Sequence, residues 1–393
     1  MTVAWRKTTF PLGAAASLEE LELDPHPLLA RLREHEPVSW LPALGGWLVT
    51  RRDLALKAMR DSGTFTVDDP RFSTARVVGP SMLSRDGAEH GRHREPFARP
   101  FRLDAVRERF TTLVETETER LLDAIEPAGR SELRRSLAGP LAATVVAEAL
   151  GLDDTGSDTI LAWYDAIVEA VAGVAAGNQV TSAGHEAFAA LRSSVEPMLD
   201  GDSRSSLVAA AGETGDLAPE EVVSNVAVLM FGGIETTEGM IANAVLHLLS
   251  NPDQRALAER DRGMLTNAVE ESLRLEPAAA VIDRYATHDV RWGDASIGRG
   301  ELVTISIAGA NRDPQVFPDP DRFDVERDNA RLQIAFAHGP HVCIGMHLAR
   351  LEAHTVLSRL LERLPRLRLD PARPSAPRGL VFRKPPALHV VWG

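Results

Sequence analysis

Apolar residues recur at helical spacing through most of the chain. Leu28, Leu29 and Leu32 define a first helix, which Pro37 stops. Residues 38–40 and 46–50 predict paired strands around Gly45 and Gly46. Helical patterning resumes over 52–61. It continues over 90–101, 103–125, 133–150, 158–172 and 185–199. Between these, residues 67–86 show little periodicity and contain Pro70 and Pro80, and a loop that long is uncommon unless it serves a site. Small residues at 166–184 and polar ones at 200–206 predict further loops. Pro219 then opens an apolar run that reaches Leu249 and ends at Asn251 and Pro252, a helix of roughly 30 residues, long for a globular protein. Another helix spans 264–275, ahead of Pro277.

Beyond Pro277 the pattern changes. Short strands are expected at 281–286, 290–292 and 303–307, then a turn-rich coil at 311–329. A helix follows Gly345 and runs to about Leu364, and residues 379–391 predict a hairpin broken by Pro385 and Pro386. Strands and helices do not alternate regularly, which argues against a doubly wound sheet. The expected fold class is mainly α with small β-sheets.

Composition narrows the chemistry. The 393 residues include one cysteine, so an internal disulfide and any multi-cysteine zinc or iron–sulfur centre are excluded. The net charge of −13 disfavours a whole-surface binder of nucleic acid or anionic membrane. No apolar run suits a bilayer span. Arg6 and Lys7 precede a short apolar stretch that Pro11 and Gly13 interrupt, a poor secretory signal. A cytoplasmic protein is therefore expected, with residues 1–19 as a poorly ordered segment and 20–393 as a single domain.

The lone cysteine, Cys343, lies between Gly339 and Gly345, directly before a helix. Flanking glycines permit a tight turn, and backbone N–H groups with the helix dipole would lower the thiol pKa. That setting suits a metal ligand. Two other readings compete locally. A solitary cysteine is commonly a small buried hydrophobe. Alternatively, His338, His341, Cys343 and His347 could form a zinc site.

The stretch from Phe336 to Gly345 resembles the haem-binding loop of the cytochrome P450 family, F-x-x-G-x-H-x-C-x-G, at all five defining positions. Three more matches follow the family order. Glu271 to Arg274 matches E-x-x-R, residues 232–237 match the G-G-x-E-T-T of a long central helix, and residues 317–323 match the segment before the haem loop. The resemblance covers about residues 20–393 and implies a cytochrome P450 fold, a single haem-centred domain of the soluble bacterial type.

What the resemblance implies is specific. Cys343 would give a thiolate to haem b, iron protoporphyrin IX, with Phe336 shielding the sulfur and Gly345 completing the turn. His90, Arg94, Arg284 and His341 would neutralise the propionates. His90 and Arg94 share a helical face at i, i+4, and arginine binds a carboxylate bidentately. Gly232 and Gly233 would let the central helix approach the cofactor. Thr236 would offer a hydroxyl to dioxygen or to an ordered water, and Glu235 would relay protons. A rival role for Thr236 is a bond to its own helix's carbonyl four residues back. Glu271 and Arg274 are expected to pair and to lock their helix through Arg322, with Arg327 as the rival third member.

Family positions for substrate contacts offer Val77, Val78, Met82, Leu83, Val228, Leu229, Gly232, Ala278, Ala279, Ala280, Val281, Leu380 and Val381. Their small apolar character implies a hydrophobic organic substrate. The reaction implied is monooxygenation with O2. No flavin or iron–sulfur motif is visible, so ferredoxin and ferredoxin reductase are the implied electron donors, drawing on NAD(P)H. Arg92, Arg99, Arg102 and Arg350 are candidates for a ferredoxin-docking patch. A monomer that binds neither membrane nor nucleic acid is expected. A peroxide-driven peroxygenase and a non-catalytic recruitment domain are the competing functions; Glu235 and Thr236 speak against the first, and the intact cysteine loop against the second.

Overall fold

Helices carry most of the chain, and many start and stop on visible signals. In the computed structural model, which describes residues 3–175, 177–199 and 207–393, Ser17 and Thr181 cap helices by accepting backbone N–H bonds from Glu20 and Gly184. Pro219 and Pro252 stand at helix starts, and Gly151 ends another at φ 81°. The central helix, Pro219–Ser250, has 32 residues and is about 48 Å long.

The chain packs as two compact units. One comprises Met1–Thr66, Gly239–Cys343 and Leu360–Gly393, and carries a five-stranded sheet. The strand order is Val38–Leu41, Gly46–Val49, Leu302–Ser306, Val281–Ala286, Phe65–Thr66. Gly46–Val49 runs parallel to Leu302–Ser306, and the other neighbours are antiparallel. Trp47, Val49, Val303, Ile305 and Phe65 bury one core with Ala55, Met59 and Phe10. The other unit comprises Val67–Glu238 and Ile344–Arg359. It is built on helices, including Gly87–Ala98, Leu103–Ile125, Gly139–Leu150, Ser157–Ala175 and Ser182–Val195. Among the described residues, no helix is long and apolar enough to cross a membrane.

Several expectations need correction. Residues 1–19, expected to lack order, contain helices Val3–Thr9 and Pro11–Ala15. Phe10 is buried with its ring centroid 5.3 Å from that of Trp47, while Arg6 stacks on Trp40 at 4.0 Å and pairs with Glu301. These anchors are tertiary, and the elements are too short to show a period. The 67–86 stretch includes a helix, Ser73–Val78.

Within 166–184, residues 166–175 and 182–184 are helical, and 177–181 form the connection between the two helices. A Cβ on Gly184 would lie 2.6 Å from the Ala170 Cβ, so small residues there permit two helices to approach closely. The predicted loop at 200–206 lies outside the described residues. Pro252 opens a further helix, Pro252–Arg260, instead of only ending one. In the tail, His389–Val391 pairs with Arg368–Leu369, and the expected hairpin is reduced to a single bridge between Arg378 and Lys384.

Candidate active site

In the sheet unit the cysteine loop is shaped by two left-handed residues, Ala337 at φ 58° and Gly339 at φ 77°. A side chain at 339 would place its Cβ 2.5 Å from the Met59 carbonyl oxygen, so only glycine fits against the end of the Arg52–Arg60 helix. The Cys343 N–H donates to the Phe336 carbonyl at 2.8 Å and closes the loop. Cys343 is half-buried, as is His341 in the turn Gly339–His341. Arg284 projects from strand Val281–Ala286 and is buried, with Nη1 donating to its neighbour's carbonyl at 2.7 Å. Beside it, burial pushes the Asp283 carboxyl above its ordinary pKa, against the opposing Thr304 hydrogen bond and Arg284 charge.

In the helical unit Gly345 starts the next helix by accepting from the Ala349 N–H at 3.0 Å, and a Cβ there would meet nothing within 4 Å. The two adjacent glycines of the central helix, Gly232 and Gly233, differ. A Cβ on Gly233 would lie 2.5 Å from Val146 Cγ2, whereas one on Gly232 would meet nothing within 4 Å. Gly233 thus serves helix packing, and Gly232 leaves open space on its face. Thr236 Oγ1 donates to the Gly232 carbonyl at 2.6 Å, the self-bonded state that is the rival to the role the resemblance implies. Its lone pairs remain acceptors. Glu235 is buried beside it in sequence.

His90 and Arg94 lie one turn apart on helix Gly87–Ala98. His90 is buried, with Nδ1 2.9 Å from the Met82 carbonyl. A carbonyl only accepts, so Nδ1 carries a proton; a carboxylate also only accepts, so Nε2 would need a proton of its own to donate to a propionate. Arg92, a candidate for the docking patch, is instead bound to Glu89 and Glu221, which compensate its charge. Arg99 and Arg102 are exposed.

The substrate candidates gather within each unit. Ala280 donates its N–H to the Val381 carbonyl at 2.8 Å, Ala279 bridges Phe382, and Arg383 donates to the Ala278 carbonyl at 2.9 Å. These bonds align 278–281 with 380–383. Arg383, buried at 2% exposure, pins that edge through Glu276 at 2.8 Å and through the carbonyls of Glu22 and Gly379. Glu276 is buried, which opposes its ionisation, yet the His26 hydrogen bond and the charges of His26, Arg383 and Arg312 hold its pKa at about 2. In the helical unit Val77 and Val78 are buried on their short helix, Val228 is buried and Leu229 half-buried on the central helix, and Met82 is buried in the following loop. Val381, at 41% exposed, is the most open of the candidates.

The anchor of the meander also differs from expectation. Glu271 binds Arg274 at 2.7 and 2.8 Å, and its third partner is Arg327 at 2.9 Å. Arg322 contributes only its carbonyl, which accepts from both arginines.

Sequence reasoning missed Asn225, His93 and Arg383. The signals available were an asparagine inside an apolar helix, a histidine three residues from His90, and an arginine in an apolar tail.

The residues fit the haem that the motifs imply. The sheet unit offers the Cys343 thiol, Arg284 and His341, and the helical unit offers His90, Arg94 and the open face at Gly232, donor types whose chemistry suits a metal and carboxylates. Among the described residues no group of three or more His, Cys, Asp or Glu is placed to hold a metal ion, which removes the zinc reading.

A family model described as cytochrome P450 matches residues 197–390. Cytochrome P450 107B1 of Saccharopolyspora erythraea is 37% identical over 377 residues, covering 88% of this chain and 89% of that protein. The cytochrome P450 monooxygenase PikC of Streptomyces venezuelae is 36% identical, covering 91% of this chain and 88% of its own. Among solved structures, CalO2 superposes with a TM-score of 0.87 at 29% identity, over 96% of this chain and 99% of that one.

Proposed function

The chain belongs to the cytochrome P450 family and is an oxidoreductase of its monooxygenase class, and from that premise we propose that it inserts one atom of O2 into a hydrophobic small organic substrate, with electrons from NAD(P)H through ferredoxin and ferredoxin reductase. The observation that carries this reading is the cysteine loop: Cys343 held by its own N–H on the Phe336 carbonyl, in a turn that only glycine at 339 permits. On this reading residues 20–393 act as one functional domain, monomeric and cytoplasmic, that carries no flavin and no iron–sulfur cluster of its own.

Haem, when bound, supplies a redox-active iron on which a thiolate pushes electron density and favours O–O cleavage. Cys343 would hold it. Arg94 and Arg284 would bind its carboxylates through guanidinium forks, with His341 and the Nε2 of His90 beside them. Open space at Gly232 accommodates a flat group against the helix. Thr236, whose hydrogen goes to the Gly232 carbonyl, keeps lone pairs on Oγ1 to accept from a water and hold it in place. Glu235 would pass a proton to that water. The apolar side chains of Val77, Val78, Met82, Val228 and Leu229 would exclude bulk water, as would residues 279–281 and 380–381.

The test is isotopic. Haem-loaded protein, surrogate ferredoxin and reductase, and a panel of apolar compounds selected by haem spin-state shift are incubated under 18O2. One labelled atom per product molecule is expected. Product formed only with added hydrogen peroxide would assign a peroxygenase instead.

A further inference from the structure

The loop that carries Met82 joins two helices and belongs to neither. Met82 is 5% exposed, so its backbone N–H and carbonyl both need partners. Side chains supply them. The N–H donates to Asn225 Oδ1 at 2.8 Å, and the carbonyl accepts from His90 Nδ1 at 2.9 Å.

The first of these bonds determines a chain of others. A backbone N–H can only donate, so the Asn225 oxygen must face Met82 and its nitrogen must point elsewhere. That nitrogen lies 2.9 Å from His93 Nδ1 and 2.8 Å from the Glu221 carbonyl. His93 Nδ1 must then accept, which leaves the ring proton on Nε2, 3.4 Å from Glu221 Oε1 and 3.4 Å from Arg92 Nη2; the proton goes to Glu221, and the Arg92 contact, donor against donor, is no hydrogen bond. Asn225 is fully buried and thereby makes three hydrogen bonds. It also lies one turn ahead of Val228 and Leu229 on the central helix.

We propose that Asn225 and His93 are positioning residues that set the place of the Met82 loop and thereby which substrates the enzyme accepts. The consequence for substrates rests on the monooxygenase reading; the latch itself does not.

The latch carries a sign that can be tested. Burial lowers the His93 pKa below its ordinary value and so favours the neutral ring, an effect that Arg92 and Arg85 reinforce and that Glu221 and Glu89 oppose. Those are the charged groups that face it, from its own helix, the central helix and the loop. Glu221 is held at about 2 by the Arg92 hydrogen bond against burial, and Glu89 lies below its ordinary value through the same arginine, so both stay ionised near neutrality. Protonating His93 places a hydrogen on Nδ1 against the Asn225 amide hydrogens. The amide could relieve this only by turning, which would aim its hydrogens at the Met82 N–H. Acid therefore loosens the loop. Asn225→Asp reverses the sign. Its carboxylate still accepts from Met82, but its second oxygen faces the Nδ1 lone pair and the Glu221 carbonyl, and only a proton on His93 Nδ1 gives it a donor.

The experiment measures amide exchange at Met82 in haem-loaded protein from pH 5.5 to 8, corrected for intrinsic rates, by mass spectrometry with electron-transfer fragmentation. Imidazole and 4-phenylimidazole serve as small and bulky probes of the pocket, read by Soret shift, and the reduced carbon monoxide spectrum reports the haem of each variant. Asn225→Ala should speed exchange at Met82 by tenfold or more and change the affinity ratio of the two azoles at least fivefold. Wild type should exchange faster as pH falls, and Asn225→Asp should exchange faster as pH rises. Exchange within twofold of wild type in Asn225→Ala, or the same pH sign in Asn225→Asp as in wild type, would overturn the latch. An unchanged azole ratio despite faster exchange would overturn its role in substrate choice. If wild type itself lacks a thiolate-ligated spectrum, the monooxygenase reading fails, while the exchange data still decide the latch.

Discussion

Glu271→Gln removes one charge from a trio that is almost wholly sealed from water. The Glu271 carboxylate accepts two bonds from Arg274, one from Arg327 at 2.9 Å and one from the Asp324 N–H at 3.1 Å. Both Glu271 and Arg274 are 0% exposed, and Arg327 is 7% exposed. Glutamine keeps one acceptor and presents an NH2 group to guanidinium hydrogens. Leaving a buried charge without its partner costs about 3–5 kcal/mol. That is a large share of a typical folding stability of about 5–15 kcal/mol. With a urea slope of ~3 kcal/mol/M, the unfolding midpoint should fall by about 1–1.7 M.

Two further variants make the argument specific. Arg327→Ala removes a bond to Glu271 and those to the carbonyls of Pro318, Asp319 and Arg322, so its loss should be comparable. Arg322→Ala keeps the backbone carbonyl that both arginines use, and its exposed side chain should cost within about 0.5 kcal/mol. Urea titration of haem-loaded proteins, followed by far-ultraviolet circular dichroism, reads all three. A Glu271→Gln midpoint near wild type, or an Arg322→Ala loss equal to that of Arg327→Ala, would refute the reasoning.

Three other outcomes follow from the geometry. Glu276, held at about 2 against an ordinary 4.5, contributes stability that is present above about pH 4.5 and is lost as pH falls toward 2; the thermal midpoint of wild type should drop more steeply over that window than that of Glu276→Gln, and parallel curves would contradict this. Burial alone raises the Glu352 carboxyl well above 4.5, so above that pH the unfolded chain ionises first and stability declines. Glu352→Gln should therefore melt higher than wild type at pH 8 and lose that advantage at pH 4, whereas equal shifts at both would count against the assignment. Gly233→Ala should lower the thermal midpoint by overpacking Val146, at a cost of about 1–3 kcal/mol, while Gly232→Ala, with open space at its Cβ, should not; similar losses in both would deny the difference between the two glycines.

The parts legible from sequence were those where one local signal dominates. Leu103–Ile125 and the start of Pro219–Ser250 match their expected bounds because a long apolar period and an N-terminal proline act together. The cysteine loop was legible through its glycines and spacing. The parts that were not legible depend on tertiary partners. Alanines and glycines at 166–184 look like a loop until Gly184 is seen against Ala170. Arg322 and Arg327 are equivalent in sequence, and only the path of the 317–327 segment decides which guanidinium reaches Glu271. Phe10 buries against a tryptophan 37 residues later, and Asn225 reads as a polar interruption until the Met82 N–H is found on its oxygen.

The central claim is that Cys343 is the thiolate ligand of a haem. Its most direct test is the carbon monoxide spectrum of the reduced, haem-loaded protein, recorded for wild type and for Cys343→Ser. A strongly red-shifted Soret band in wild type, absent from a serine variant that still binds haem, is the predicted result. A wild-type band like that of a histidine-ligated haem, or a red-shifted band that survives in Cys343→Ser, would contradict it.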